Sequence, residues 1–88
     1  MIERFIDQRG RIIVIPKKQK NKIIIFDYIF ELIKKKGDEF SESELNNIIQ
    51  VYYDDYATMR RYLVDYGYLN RDIYGSIYCI NSEINHES

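Results

Sequence analysis

The stretch from residue 41 to residue 80 restricts the fold most, because its signals for helix ends, buried helix faces and turns follow one another closely. The sequence SESE at residues 41–44 is a capping box, in which a serine hydroxyl and a glutamate carboxylate satisfy free amides at a helix start. Apolar side chains then recur at the i, i+3, i+4 and i+7 positions of one helix face: Leu45, Ile48, Ile49 and Tyr52. We therefore expect a helix that begins at Ser41 and ends near Tyr53.

A second amphipathic helix and a β-hairpin complete this stretch. Asp54 or Asp55 is suited to cap the helix, and Gly67 is suited to end it. The apolar face of this helix comprises Met59, Tyr62, Leu63 and Tyr66. Residues 68–71 and 76–80 then flank a glycine-containing loop, and this pattern predicts a β-hairpin.

Two β-rich runs are expected near the N-terminus. Residues 5–6 and 11–15 flank a turn at Gly10, which can adopt a positive φ. Pro16 closes this element, because proline cannot donate a hydrogen bond to a continuing strand.

The apolar run at residues 23–26 is ambiguous by itself, since it suits a buried strand as well as a helix. Over three turns, however, the apolar residues keep helical spacing: Ile25, Phe26, Ile29, Phe30, Leu32 and Ile33. We therefore expect a helix over residues 23–36, with Asn21 as its cap and Gly37 at its C′ position.

Three helices followed by a hairpin are the element order of a winged helix, whose second and third helices form the helix-turn-helix core. The expected fold class is α+β and winged-helix-like, with a small antiparallel sheet made of the N-terminal strand and the C-terminal hairpin, or wing. Because two separate cores would each be too small, we expect one domain over residues 1–80. Residues 81–88 are polar and predict a flexible tail, which carries His86.

The formal charge of −1 hides a strong asymmetry between the two parts of the chain. Residues 1–36 contain ten lysines and arginines against four acidic residues, whereas residues 37–88 contain three against ten. A basic part of this kind can contact a polyanion. The near-neutral total nevertheless argues against strong non-specific binding to nucleic acid.

The sequence predicts a cytoplasmic protein without a membrane partner. No apolar run approaches the roughly 20 residues that cross a bilayer. Acidic residues interrupt the opening segment MIERFID, so no secretory signal is expected. The lone Cys79 agrees with a reducing compartment.

Cationic residues in two parts of the sequence are candidates for nucleic-acid binding. The lysines before the first helix are the stronger group, because a helix N-terminus also binds anions through its free amides. Arg60 and Arg61 can clamp a phosphate or read guanine. Alternatively, Arg61 pairs with Asp65 and Arg60 ties its helix to an acidic partner. The candidates are Arg9, Arg11, Lys17, Lys18, Lys20, Lys22, Thr58, Arg60, Arg61 and Arg71.

Nine tyrosines in a chain of 88 residues suggest aromatic contacts beyond the core. Tyr52, Tyr62 and Tyr66 fall on apolar helix faces, and Tyr28 lies near the apolar face of the first helix. The remaining candidates suit a protein interface, with nucleobase stacking as the weaker alternative. They are Tyr53, Tyr56, Tyr68, Tyr74 and Tyr78.

Catalytic and metal-binding patterns find little support in the sequence. Cys79 has no histidine nearby in sequence, and His86 lies in the predicted tail. Helix capping explains the adjacent Asp54 and Asp55. We therefore expect no enzymatic activity, no catalytic residue, no cofactor and no metal site.

Several motifs together resemble a known family. They begin with Phe5, Asp7, GR at residues 10–11, IPKK at 15–18 and SESELN at 41–46. The most specific is the contiguous run DYATMRRYLVDYGYLNR at residues 55–71, followed by GSIY at 75–78. Residues 5–78 thereby resemble a small bacterial domain of unknown function that occurs alone or after an ArsR-type DNA-binding domain in transcriptional regulators. Cys79 stands where this family usually has an aromatic residue.

The resemblance implies a regulatory association and supplies no catalytic or ligand-binding residues. We expect a non-enzymatic, transcription-associated module that binds DNA or another nucleic acid through its basic N-terminal segment. The alternative is a protein-interaction or dimerisation module without DNA affinity. A small-molecule sensor is a third and weaker possibility.

Overall fold

The chain forms three α-helices and a three-stranded antiparallel sheet in a computed structural model that describes residues 2–84. A short 3-10 helix at Ile2–Arg4 comes first. The elements that follow are α1 (Gln19–Lys34), β1 (Glu39–Ser41), α2 (Glu42–Gln50), α3 (Tyr56–Asp65), β2 (Leu69–Arg71) and β3 (Ile77–Ile80). The expected α+β class is therefore confirmed for the described residues.

The side chains predicted to start α2 and α3 do so. The Ser41 hydroxyl accepts a hydrogen bond from the Glu44 amide at 3.1 Å, and the Glu44 carboxylate accepts one from the Ser41 amide at 2.8 Å. At α3, Asp55 accepts from the Thr58 amide at 3.2 Å. Helix α2 ends at Gln50, which is three residues before the predicted end.

Helix α1 begins and ends earlier than predicted. Its N-cap is Lys18, and no side chain caps it. The predicted cap, Asn21, lies inside the helix, because the Lys22 amide already donates to the Lys18 carbonyl at 3.0 Å. Lysine and glutamine are good helix formers, so residues 19–22 extend the helix beyond the apolar face that was used to predict it. Gly37 lies three residues beyond the helix end.

The expectation that the N-terminal strand joins the hairpin is wrong. The third strand of the sheet is β1, which precedes α2, and β3 lies between β1 and β2. Phe40 pairs with Tyr78 in this register, and its side chain is buried. Burial of that ring accounts for the pairing of a strand only three residues long.

The N-terminal segment instead packs beside the end of α2. Its only β pairing within the described residues is a bridge between Ile6 and Ile12. The Asp7 carboxylate closes the intervening turn by accepting from the amides of Arg9 and Arg11 at 2.8 and 2.9 Å. The Ile12 amide donates to the Tyr52 carbonyl at 2.7 Å, and this bond fastens the segment to the α2–α3 connection.

The core lies between α1 and the elements that follow it. Five residues on one face of α1 are buried: Ile25, Phe26, Ile29, Phe30 and Ile33. The Phe26 ring lies 5.3 and 5.0 Å from the rings of Tyr62 and Tyr66. Tyr68 is buried beside Phe30, and its hydroxyl donates to the Asp27 carboxylate at 2.6 Å. Burial and this carboxylate raise the pKa of Tyr68 far above its ordinary value.

The start of the predicted tail contacts the domain. The Asn81 side chain donates to the Gly67 carbonyl at 2.6 Å, and Ile84 packs against the core. Residues 85–88, including His86, lie outside the described residues. None of the described helices is long and apolar enough to cross a membrane.

Candidate functional site

One group of cations surrounds the start of α1. Arg4, Lys18 and Lys20 line an open cavity of about 600 Å³ whose apolar walls are Phe5, Pro16 and Ile24. The described residues that line it include no carboxylate. With the exposed Lys17, these cations form what we call the α1 basic surface.

The electrostatics of this surface favour an anion. The amides at the start of α1 carry a partial positive charge, and no side chain caps them. Lys18 and Lys20 add full positive charges at the same end, where they oppose the helix dipole. A bound anion would relieve this conflict. Lys22 points elsewhere, since its ammonium lies 5.2 Å from the centre of the Tyr62 ring.

Arg11, a predicted nucleic-acid contact, is engaged within the protein. Its guanidinium donates to the carbonyls of Gln50 and Val51 at 3.0 and 2.7 Å and pairs with Asp54. Because α2 has no basic residue in its last turn, Arg11 supplies the cation that stabilises this helix end. Arg9 remains exposed in the Asp7 turn.

A second group of cations meets between α3 and the hairpin. Arg60, Arg61 and Arg71 line an open cavity of about 300 Å³, and Val64, Glu42, Asp65 and Tyr78 complete its lining. We call this cavity the arginine groove. It brings together the three cationic side chains that residues 37–88 contain.

Arg60 is held in the wall of the arginine groove. Its guanidinium donates to the Asn46 side-chain oxygen and lies 4.0 Å from the Glu42 carboxylate. It also lies 5.9 Å from the centre of the Tyr78 ring. Glu42 is fixed in turn, because it accepts a hydrogen bond from the Tyr78 hydroxyl at 3.0 Å. Arg60 therefore ties α3 to α2 and the sheet.

Arg61 and Arg71 have no such partners. Both are exposed, and neither forms an ion pair within residues 2–84. The predicted pair between Arg61 and Asp65 is therefore not formed. Thr58, predicted beside them, serves the cap of α3, since its hydroxyl donates to Asp55 at 2.7 Å. That hydroxyl holds the pKa of Asp55 below its ordinary value.

Arg71 lies beside the turn that precedes β3. Asp72 accepts hydrogen bonds from the Ser76 amide and hydroxyl, both at 2.8 Å, and from the Ile77 amide at 3.2 Å. The Arg71 guanidinium lies against Gly75, where a β-carbon would come within 3.1 Å of it. Gly75 also has a φ of +69°, which favours glycine. This glycine therefore suits both the turn and the arginine.

The five tyrosines predicted at a protein interface differ in how far they are buried. Tyr68 and Tyr78 are buried in the core, so their assignment to an exposed interface is wrong. Tyr78 follows the alternation of β3, in which alternate side chains face the helices, whereas Tyr68 lies just before β2 and packs on α1. Tyr53 and Tyr56 are half-buried, and burial raises the pKa of Tyr53. Tyr74 is 83% exposed at the hairpin turn.

The two cationic surfaces exclude some predicted contacts, such as Arg11 and Lys22, and include residues that were not predicted. Arg4 joins the α1 basic surface although it is distant from the lysines in sequence. Glu42 joins the arginine groove because it begins α2 beside the sheet. Across residues 2–84, no group of three or more metal-ligating side chains converges.

These features define a small α+β domain with two separate cationic surfaces, one rich in lysine and one in arginine. The chain belongs to the bacterial family described as "Uncharacterized protein conserved in bacteria (DUF2087)", which it matches over residues 11–80. No curated protein and no solved structure is significantly similar to it.

Proposed function

We propose that this domain is a non-enzymatic, transcription-associated regulatory module that binds nucleic acid through the α1 basic surface. The observation that carries the proposal is the convergence of Arg4, Lys18 and Lys20 on one cavity, whose described lining residues include no carboxylate. The cavity lies at a helix start that no side chain caps. Lysines and free helix amides are common ligands of nucleic-acid phosphates.

The topology adds support for a winged helix. One strand precedes α2, and the hairpin follows α3, with β3 in the centre of the sheet. A connection of five residues separates α2 from α3, as in a helix-turn-helix. The resemblance to domains that follow ArsR-type DNA-binding domains supports a role in transcription. A cytoplasmic location fits this role.

Substitution of the lysines at this surface should weaken binding without lowering the stability of the protein. Lysines at a helix N-terminus oppose the dipole, so their replacement by glutamine stabilises α1 or leaves it unchanged. A loss of binding in such a variant therefore cannot be attributed to unfolding. Lys35 and Lys36 are exposed beyond the other end of α1 and provide a control with the same change of charge.

The test is a titration of fluorescent duplex DNA by anisotropy at several salt concentrations. Each phosphate contact adds about 0.9 to the slope of log affinity against log salt. We expect Lys18→Gln/Lys20→Gln to reduce that slope by about 1.8, whereas Lys35→Gln/Lys36→Gln keeps the wild-type slope. Absence of binding, or equal slopes for the two double variants, would contradict the proposal.

A protein-interaction module is the alternative, and exposed apolar residues favour it. Ile13, Val14 and Val51 are 62%, 53% and 58% exposed. They belong to the two segments that the bond from Ile12 to Tyr52 joins. Light scattering distinguishes this alternative. A dimer that Ile13→Ser/Val14→Ser dissociates, together with absent DNA binding, would support it.

A further inference from the structure

We propose that the arginine groove binds a small anion that carries a phosphate or carboxylate group, held between Arg61 of α3 and Arg71 of the hairpin. Both guanidiniums line the same cavity, both are exposed, and neither has an ion-pair partner within residues 2–84. A guanidinium presents paired N–H donors that match the oxygens of either group. The sequence patterns indicated both arginines as contacts to nucleic acid and did not indicate a small-anion site.

The groove is prepared for a ligand by contacts that fix its walls. Asn46 and Glu42 hold Arg60, whose side chain is only 19% exposed. The Asp72 turn orders the backbone beside Arg71, and Gly75 leaves room for its guanidinium. The wall formed by Arg60 and the backbone beside Arg71 are therefore ordered before a ligand binds, whereas the exposed side chains of Arg61 and Arg71 become ordered on binding.

The charges favour a small anion over a polyanion. Glu42 is already engaged by Arg60 and by the Tyr78 hydroxyl, which leaves Arg61 and Arg71 against Asp65. One anionic group therefore balances the groove, whereas Asp65 repels any further phosphate. The volume of about 300 Å³ also lies at the lower end of small-ligand sites.

The experiment is an NMR titration of the ¹⁵N-labelled chain at constant ionic strength, with inorganic phosphate in one arm and succinate in the other. We expect saturable shifts at Val64 and Arg71 for at least one anion, and the stronger arm identifies the group. Arg61→Gln and Arg71→Gln should each weaken binding about tenfold or more. Arg9→Gln removes an exposed arginine outside the groove and should leave binding unchanged.

Asp65→Asn gives a result of opposite sign, because removal of the repelling carboxylate should tighten anion binding. A merely structural role of the groove would not produce this increase. Shifts that do not saturate for either anion, or equal affinity in wild type and Arg61→Gln, would overturn the proposal. So would a loss of duplex DNA binding in the arginine variants without small-anion binding, which would assign the groove to nucleic acid.

Discussion

The α1 basic surface and the arginine groove carry the same sign of charge but differ in construction. The first gathers lysines on flexible stems at a helix start, and no carboxylate is among the described residues that line its cavity. The second holds arginines between α3 and the hairpin, with Glu42 and Asp65 beside them. A lysine ammonium is a mobile point charge, whereas a guanidinium is a rigid fork.

This difference in construction is the basis for the two different ligands that we propose. A surface of mobile cations without nearby carboxylates suits a continuous polyanion, whose affinity depends on the number of neutralised phosphates. A groove of arginines with compensating carboxylates suits one discrete anion. We therefore propose that the domain binds a nucleic acid and a small anion at separate surfaces.

The largest effect is expected at Tyr68, because its ring packs on α1 and its hydroxyl reaches Asp27 on that helix. Tyr68 immediately precedes β2, so it links the helix that carries one surface to the hairpin that carries the other. Tyr68→Ala should lower the free energy of unfolding by about 3–5 kcal/mol. Chemical denaturation followed by circular dichroism measures this loss.

Tyr68→Phe is the matched control, since it keeps the ring and removes only the hydroxyl. It should cost about 1 kcal/mol, the usual net contribution of a hydrogen bond. If Tyr68→Ala were as stable as Tyr68→Phe, the two surfaces would not share this core contact.

A smaller loss is expected for Arg11→Leu, which leaves the carbonyls at the end of α2 without their cation. The unfolding free energy should fall by about 1–2 kcal/mol, while the salt slope of DNA binding stays at the wild-type value. Arg9→Leu, in the same turn, should change neither quantity measurably. A reduced salt slope in Arg11→Leu would place this arginine among the DNA contacts and enlarge the α1 basic surface.

The smallest effect is a loosening of the hairpin at acidic pH. The Ser76 hydroxyl, together with backbone amides, holds the pKa of Asp72 below its ordinary value. Because the folded pKa is lower than the unfolded one, the stabilisation is complete above the unfolded pKa and is lost as the pH falls through the folded value.

Amide hydrogen exchange at Ser76 and Ile77 measures this loosening. Protection should decline at acidic pH in the wild type, and Asp72→Asn should show reduced protection already at neutral pH. Asp38→Asn, outside the turn, should retain the wild-type profile. A wild-type profile in Asp72→Asn would show that the carboxylate does not hold the turn beside Arg71.

Local signals in the sequence predicted the caps of α2 and α3 and the hairpin, because those signals act between residues only a few positions apart. The capping box at Ser41 and the cap at Asp55 are examples. The sheet partner was predicted wrongly, because several short β-rich runs compete for one strand edge. Burial of the Phe40 ring, which decides between them, depends on the assembled core.

The candidate sites also differ in whether they depend on local sequence or on the assembled fold. The lysines of the α1 basic surface were predicted because they are neighbours in sequence and precede a helix. Arg60, Arg61 and Arg71 were predicted as nucleic-acid contacts, but the groove that they share was not predicted, since it requires the packing of α3 against the hairpin. Likewise, the role of Arg11 depends on carbonyls about 40 positions away in sequence.

One paired titration separates the two surfaces. Wild type, Lys18→Gln/Lys20→Gln and Arg61→Gln/Arg71→Gln are each titrated with duplex DNA and with the small anion that binds the wild type. We predict that the lysine variant loses DNA affinity and keeps the anion, and that the arginine variant loses the anion and keeps DNA. If one double variant abolished both interactions while remaining folded, or if neither variant changed either interaction, the assignment of separate ligands to the two surfaces would be wrong.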